Sequence, residues 1–287
     1  MYPGLEARQA AIVHGMANDS LRVAAVQLSS QQDVGENLGQ CRRLVAEAGA
    51  RGARLVLLPE NFAFMGEEEA KRAFAERLGD GGPIQKTLSE LAREHRITLI
   101  AGGFPERSED ARRPFNSCVV FDPSGAVAAT YRKIHLFDVD LPDGTAYRES
   151  AGSAAGKEPV VVSVDGFVVG LSICYDLRFP ELYRALVDRG AELLVVPAAF
   201  TLLTGKDHWH VLLRARAIES QCFLLAAGQW GKHPQGRMTY GHSLAVDPWG
   251  AVVAEASDRV GIVVADVVRD DLTRVRTNLP SLRHRRL

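Results

Sequence analysis

A seven-residue phrase occurs twice in this chain. Phe121-Asp-Pro-Ser-Gly-Ala-Val127 returns as Val246-Asp-Pro-Trp-Gly-Ala-Val252, each time between two runs of strand-forming residues. Proline and glycine stand where a tight reversal needs them. Such an echo is what two similar sheets packed face to face would produce. One two-sheet α/β domain over residues 21–287 is therefore expected, rather than two separate domains.

The rest of the chain fits that expectation. Apolar runs read as strands at Leu21–Leu28, Arg54–Leu58, Ile97–Gly102, Asn116–Phe121, Ala126–Tyr131, Glu192–Pro197, Cys222–Ala227, Ser243–Asp247, Val252–Glu255 and Ile262–Asp266. Pro159–Val164 and Phe167–Ile173 flank Asp165-Gly166, a strong hairpin signal. Helical spacing predicts helices at Val34–Ala53, Glu67–Leu78, Pro83–His95, Phe179–Arg189, His208–Ser220 and Arg269–Thr277. Two loops stand between them, Asp138–Lys157 and Ala198–Asp207, and a loop as long as the first is commonly functional.

Charge and cysteine usage narrow the class. A net charge of −1 argues against nucleic acid or an acidic membrane surface as partner, and no apolar run reaches the length of a membrane span. Cys41, Cys118, Cys174 and Cys222 are scattered without a C-x-x-C pair, which predicts free thiols in a reducing, cytoplasmic setting. His208 and His210 form an H-x-H without a third ligand at convincing spacing, so no metal is expected there. Residues 1–20 lack a secretory pattern and read as a poorly packed N-terminal extension.

Chemistry concentrates where strands end. Val168–Ile173 delivers Cys174 at a strand-to-helix junction, with Pro180 suited to the first helical turn. Exposed N–H groups there favour a thiolate, although a small buried hydrophobe is an equally good description of the stretch alone. Glu60 follows the run Arg54–Leu58 and Pro59, and Lys133 follows Ala126–Tyr131. Taken singly, each reads as an ordinary solvated side chain. If the three share one sheet edge, Cys174 can act as nucleophile and Glu60 as general base. Lys133, with the backbone N–H of Tyr175, can stabilise an oxyanion. His135 and His242 are weaker candidates as partners of Cys174, because they leave Glu60 and Lys133 unexplained.

Leu57-Leu-Pro-Glu60-Asn, Tyr131-Arg-Lys133-Ile-His135-Leu-Phe and Ile173-Cys174-Tyr-Asp-Leu-Arg178-Phe-Pro-Glu181 resemble, in order and spacing, the motifs of the nitrilase superfamily of carbon–nitrogen hydrolases. The resemblance implies a four-layer α-β-β-α sandwich, a Glu60–Lys133–Cys174 triad, no cofactor, and a homodimer or higher homo-oligomer. It matches Glu149 to a fourth family residue, a glutamate that orients the lysine or substrate. His208–Cys222 and Tyr240-Gly-His-Ser243 bring the chain closer to the deaminated glutathione amidase branch. That branch implies hydrolysis of an N-substituted α-ketoglutaramate to α-ketoglutarate and cysteinylglycine, with Arg178 on a substrate carboxylate. Phe200 and Thr201, in the loop expected to border the substrate, are the further substrate-binding candidates. Lys206-Asp207 departs from the Pro-Ala often found in that loop. An ω-amidase acting on α-ketoglutaramate or α-ketosuccinamate needs the same residues, and a non-enzymatic nitrilase-like interaction module is the alternative of a different class.

Overall fold

The computed structural model describes residues 19–141 and 144–286. The expected extension, residues 1–20, lies outside the described residues apart from Asp19 and Ser20, and Ser20 already belongs to the first strand. The first half runs β1 (Ser20–Gln27), α1 (Val34–Ala50), β2 (Leu55–Leu58), a single turn α2 (Glu68–Lys71), α3 (Pro83–His95), β3 (Thr98–Glu106), β4 (Phe115–Phe121) and β5 (Val127–Arg132). A small hairpin, β6 (Asp138–Asp140) and β7 (Ala146–Arg148), precedes the short α4 (Glu149–Gly152). The second half runs β8 (Val161–Val164), β9 (Phe167–Leu171), a 3-10 turn Cys174–Arg178, α5 (Pro180–Asp188), β10 (Leu193–Ala198), α6 (Leu202–Ser220) and β11 (Phe223–Gly228). After the hairpin β12 (Trp230–Lys232) and β13 (Met238–Tyr240) come β14 (Leu244–Val246), β15 (Val252–Glu255), β16 (Gly261–Val268), α7 (Arg269–Asn278) and α8 (Ser281–His284).

Two six-stranded sheets result, ordered β16-β1-β2-β3-β4-β5 and β15-β14-β11-β10-β9-β8. The period-two alternation of β2 shows how they stack. Leu55 and Leu57 pack into the core shared with the second sheet, while Val56 and Leu58 face the cluster formed with α1 and α3. Leu38, Cys41, Leu44, Val45 and Ala48 present one apolar stripe of α1 to that cluster, and Asp33 caps the helix by accepting from the Glu36 N–H. On the far side α5 and α6 cover the second sheet through Leu186 and Leu213. The layers are α-β-β-α.

The repeated phrase forms equivalent hairpins, one in each sheet. Asp122 and Asp247 each close the reversal from side chain to backbone, at Ser124 and Ala126 in one case and at Trp249 and Ala251 in the other. Gly125 and Gly250 supply the positive φ that both turns require.

Three expected elements differ. Glu67–Leu78 is not one helix: α2 gives way to a 3-10 turn at Arg72–Phe74, and the chain then extends beside β3. The cause is Glu76, whose backbone pairs with Pro105 and Arg107 while its carboxylate accepts from the Ile84 and Gln85 N–H groups that open α3. The loop Ala198–Asp207 ends early, because Thr201 caps α6 and the helix starts at Leu202 rather than His208. Gly205, which reads as a loop residue, lies within α6 where a Cβ would stand 2.3 Å from Tyr240. The loop Asp138–Lys157 contains β6, β7 and α4, so Glu149 opens a short helix.

Candidate active site

Glu60, Lys133 and Cys174 converge, but not along one sheet edge. β2 and β5 run in the same direction in the first sheet and release Glu60 and Lys133 at their C-terminal ends. β9 releases Cys174 from the second sheet, and Ala199 and Phe200 follow β10 beside it. The site therefore lies where the ends of the two sheets face each other. Gly102 and Gly103 permit this approach: a Cβ on Gly102 would stand 2.0 Å from Pro197, and one on Gly103 2.5 Å from the Asn61 nitrogen.

Lys133 is 2% exposed and is held between two carboxylates. Its Nζ lies 2.9 Å from Glu60 Oε1 and 2.8 Å from Glu149 Oε2. Asn116 Nδ2 donates to Glu60 Oε1 and Glu149 Oε1, tying the carboxylates together. The other Glu60 oxygen accepts from the Ala199 N–H at 3.0 Å and the Glu149 Oε2 from the Phe137 N–H at 2.7 Å. The Cys174 thiol lines the same cleft, close enough to Glu60 and Lys133 to feel both charges. A lysine, two glutamates and an asparagine thus form one continuous polar cluster in a largely dry setting, with the Cys174 thiol in the same cleft.

Burial opposes ionisation of Glu60, but Lys133 beside it outweighs that effect and brings its pKa to about 2. Burial likewise opposes the Lys133 charge, and Glu149 and Glu60 overcome it, holding the ammonium well above its ordinary range. The Cys174 thiol is pushed well above its usual value by burial and by the Glu60 charge, with Lys133 opposing. The resting ensemble is a thiol, a carboxylate and an ammonium. A thiol in that state would need a base before it could attack a carbon.

One consequence can be measured through stability. Glu60 has a folded pKa near 2 against an ordinary value of 4.5. Its stabilising contribution is complete above pH 4.5 and is lost as pH falls toward 2, because the unfolded chain binds the proton first. The urea midpoint of the wild type should exceed that of Glu60→Gln at neutral pH, with the gap closing through that window. A gap that stays constant to pH 3 would contradict this electrostatic picture.

Cys174 adopts a left-handed backbone (φ 46°), uncommon for a side-chain-bearing residue. Asp176 holds it there. The fully buried Asp176 carboxylate accepts from the Ile173 N–H at 2.9 Å, the Tyr131 hydroxyl at 2.7 Å and the His135 N–H at 3.1 Å, with His135 Nδ1 also 2.7 Å away. It thus joins the segment carrying Lys133 to the turn carrying Cys174. His135 braces this junction, stacking on Phe179 at 3.7 Å. His242 pairs instead with Glu255. Neither histidine lines the cleft.

All the expected site residues line one cleft: Glu60, Lys133, Glu149, Cys174, Tyr175, Arg178, Phe200 and Thr201. Arg178 lies over the Phe200 ring at 5.2 Å, with both terminal nitrogens 3.4 Å from His208 Nδ1. Asn116, Lys71 and Arg237 line the cleft too and had not been singled out from the sequence. Arg237 comes from the unanticipated β12–β13 hairpin, packs over Tyr147 at 5.5 Å and has a buried Nε with no partner. The Gly-Lys-His-Pro-Gln-Gly stretch before it is a turn signal that would have revealed the hairpin but not its direction.

The carbon-nitrogen hydrolase family model matches residues 22–277, nearly the whole described chain. The chain belongs to that family. This carbon–nitrogen hydrolase is 46% identical over 265 residues to deaminated glutathione amidase of Synechocystis, covering 91% of this chain and 97% of that one. It is 44% identical over 269 residues to the Homo sapiens protein of the same name, covering 92% and 82%. Among solved structures, the Caenorhabditis elegans NitFhit protein superposes with a TM-score of 0.88 at 40% identity, across 94% of this chain and 66% of that longer one. Saccharomyces cerevisiae Nit3, described as a member of branch 10 of the nitrilase superfamily, superposes with a TM-score of 0.86 at 29% identity across 95% and 99%. Among the described residues, no helix of this hydrolase is long and apolar enough to cross a membrane.

Proposed function

We propose that this carbon–nitrogen hydrolase is a thiol amidase acting on deaminated glutathione, an N-substituted α-ketoglutaramate. The observation that carries the chemistry is the convergence of the buried Cys174 thiol, Glu60 and Lys133 on one cleft, with Glu60 paired to Lys133. Cys174 Sγ attacks the amide carbon as Glu60 takes its proton. Lys133 and the Tyr175 N–H stabilise the oxyanion, and Glu149 keeps the ammonium aimed at it. Glu60 returns the proton to the leaving nitrogen as the C–N bond breaks, leaving a thioester. It then draws a proton from water, which attacks the thioester and releases α-ketoglutarate and the thiol. No step requires a metal or cofactor.

Substrate choice rests on the cations at the mouth. Arg178 receives the α-keto acid carboxylate in this reading, and its position in the cleft beside Phe200 and Thr201 supports it. Arg237 stands where the cleft continues into a groove lined by Tyr147, Thr201, Lys206 and Met238. A cysteinylglycine leaving group has the length to enter that groove and a carboxylate for Arg237 or Lys206 to receive. An ω-amidase substrate leaves only ammonia and has no use for it. Lys206, the departure noted in the sequence, thus adds a cation on the leaving-group side.

The ratio of kcat/KM for deaminated glutathione over α-ketoglutaramate tests this assignment. It should favour the larger substrate, and Arg237→Ala should reduce it by about 10- to 100-fold, the worth of one charged hydrogen bond. A wild-type preference for the small amide would favour the ω-amidase, and inactivity on every amide would favour the interaction module. The exposed Val211, Ile218 and Trp249 form an apolar face around α6 that supports a homodimer, which light scattering would reveal. Four free, buried thiols support a cytoplasmic location.

A further inference from the structure

His208 and His210 are two residues apart on α6, so they point about 200° apart around the helix. His208 faces Arg178 at the cleft. His210 faces away, toward His242 in the turn between β13 and β14 and Glu255 at the end of β15. We propose that His210, His242 and Glu255 form a binding site for a first-row divalent cation of the zinc class, separate from the catalytic cleft.

The donor set is the first argument. His210 Nε2 lies 2.8 Å and His242 Nδ1 2.6 Å from Glu255 Oε1, and one donor atom from each residue falls within 4.8 Å of the others. Two imidazoles and a carboxylate suit zinc and its neighbours rather than magnesium or calcium. With metal–ligand bonds of about 2.1 Å, tetrahedral donors stand roughly 3.4 Å apart. Opening the 2.8 Å and 2.6 Å contacts by about 0.6 and 0.8 Å makes that room. The three side chains are only about two-thirds to three-quarters covered, at 30%, 25% and 34% exposed, so they can shift and a fourth position can open to water.

The surroundings are the second argument. His242 holds a left-handed backbone (φ 53°), a conformation such residues keep only where their neighbours impose it. The imposed geometry turns Nδ1 toward Glu255 while Nε2 faces Asp258 Oδ1 at 3.3 Å. When a cation displaces the proton shared between Nδ1 and Glu255, Asp258 beside Nε2 favours keeping the remaining proton on that nitrogen. Tyr240 stacks on the His242 ring at 4.4 Å and holds its plane. The three donors come from segments far apart in sequence, so an ion would pin β13–β14 and β15 to α6. The Tyr240 N–H donates to the Phe200 carbonyl, which connects this junction to the cleft wall. The role is structural support of that wall, not chemistry.

The test uses the full chain carrying Cys174→Ala, so that the reactive thiol cannot bind the probe. Zn²⁺ is titrated by calorimetry, and Co²⁺ is added as a visible-absorption probe. The expected results are one equivalent of Zn²⁺ bound, the intense bands of four-coordinate Co²⁺, and a Zn²⁺-dependent rise in Tm. His210→Ala, at a partly exposed position of α6, should abolish all three while the metal-free protein still folds. Asp258→Asn should weaken Zn²⁺ binding by about 10-fold or more, as the loss of a ligand-orienting partner does. The absence of stoichiometric binding, which would mark a hydrogen-bonded cluster with no ion, would overturn the proposal. So would Zn²⁺ affinity unchanged by His210→Ala.

Discussion

Cys174→Ala should lower kcat on any amide substrate by about 10⁴-fold or more, the scale on which loss of a covalent nucleophile is felt. Its Tm should stay close to that of the wild type. The substitution keeps the Cβ that already sits at φ 46°, so it adds no backbone strain, and it removes one buried sulfur. It also leaves Glu60, Lys133 and Glu149 paired as before. Release of α-keto acid, followed alongside a thermal melt, separates the two effects. Turnover above about one per cent of the wild type would remove Cys174 from the chemistry.

Lys133→Ala should be damaging in a different way. The ammonium is almost fully buried between Glu60 and Glu149, and Asn116 holds both carboxylates in place. Removing the cation leaves two carboxylates facing each other without compensation, so one must take up a proton. Stability should fall by about 3–5 kcal/mol, the cost of breaking a buried pair by deleting one partner. Activity should fall about as far as in Glu60→Gln, since members of a catalytic unit are not additive. The two variants should nevertheless differ in stability. Glu60→Gln leaves Lys133 paired with Glu149, so its urea midpoint should lie well above that of Lys133→Ala. Equal midpoints would show that the ion cluster is not held as its distances imply.

The site was legible in the sequence where chemistry coincided with a strand end. Glu60, Lys133 and Cys174 each follow an apolar run, and a run fixes where a chain leaves its sheet. That Cys174 comes from the other sheet was not legible, because periodicity states which face a residue takes and not which sheet receives it. The repeated Asp-Pro-x-Gly phrase did carry the two-sheet architecture, since each copy builds the same turn from the same aspartate. Glu149 stood out only through family resemblance. Its surroundings read as loop, and its place in the ion cluster depends on Asn116 and Phe137, which its local sequence does not specify.

Residues that act through long-range contacts escaped the sequence. Asp176 reads as an unremarkable polar residue after the cysteine, yet its carboxylate joins Tyr131, His135 and Ile173. Arg237 arrives on a hairpin whose direction depends on packing against Tyr147 and Ala199. Helix α6 starts at Leu202 and not at His208 because Thr201 caps it through the Thr204 N–H. Glu76 ended an expected helix by serving α3 instead. In each case a partner distant in the chain decided the local structure.

The central claim is that Cys174 carries the acyl group, and mass spectrometry of the rapidly quenched enzyme tests it most directly. With deaminated glutathione present, the intact protein should gain the mass of an α-ketoglutaryl group. Digestion should place that mass on the peptide containing Cys174, and Cys174→Ala should show no adduct. Steady turnover in which no acyl-enzyme forms under single-turnover conditions, or an adduct mapped to another residue, would contradict it.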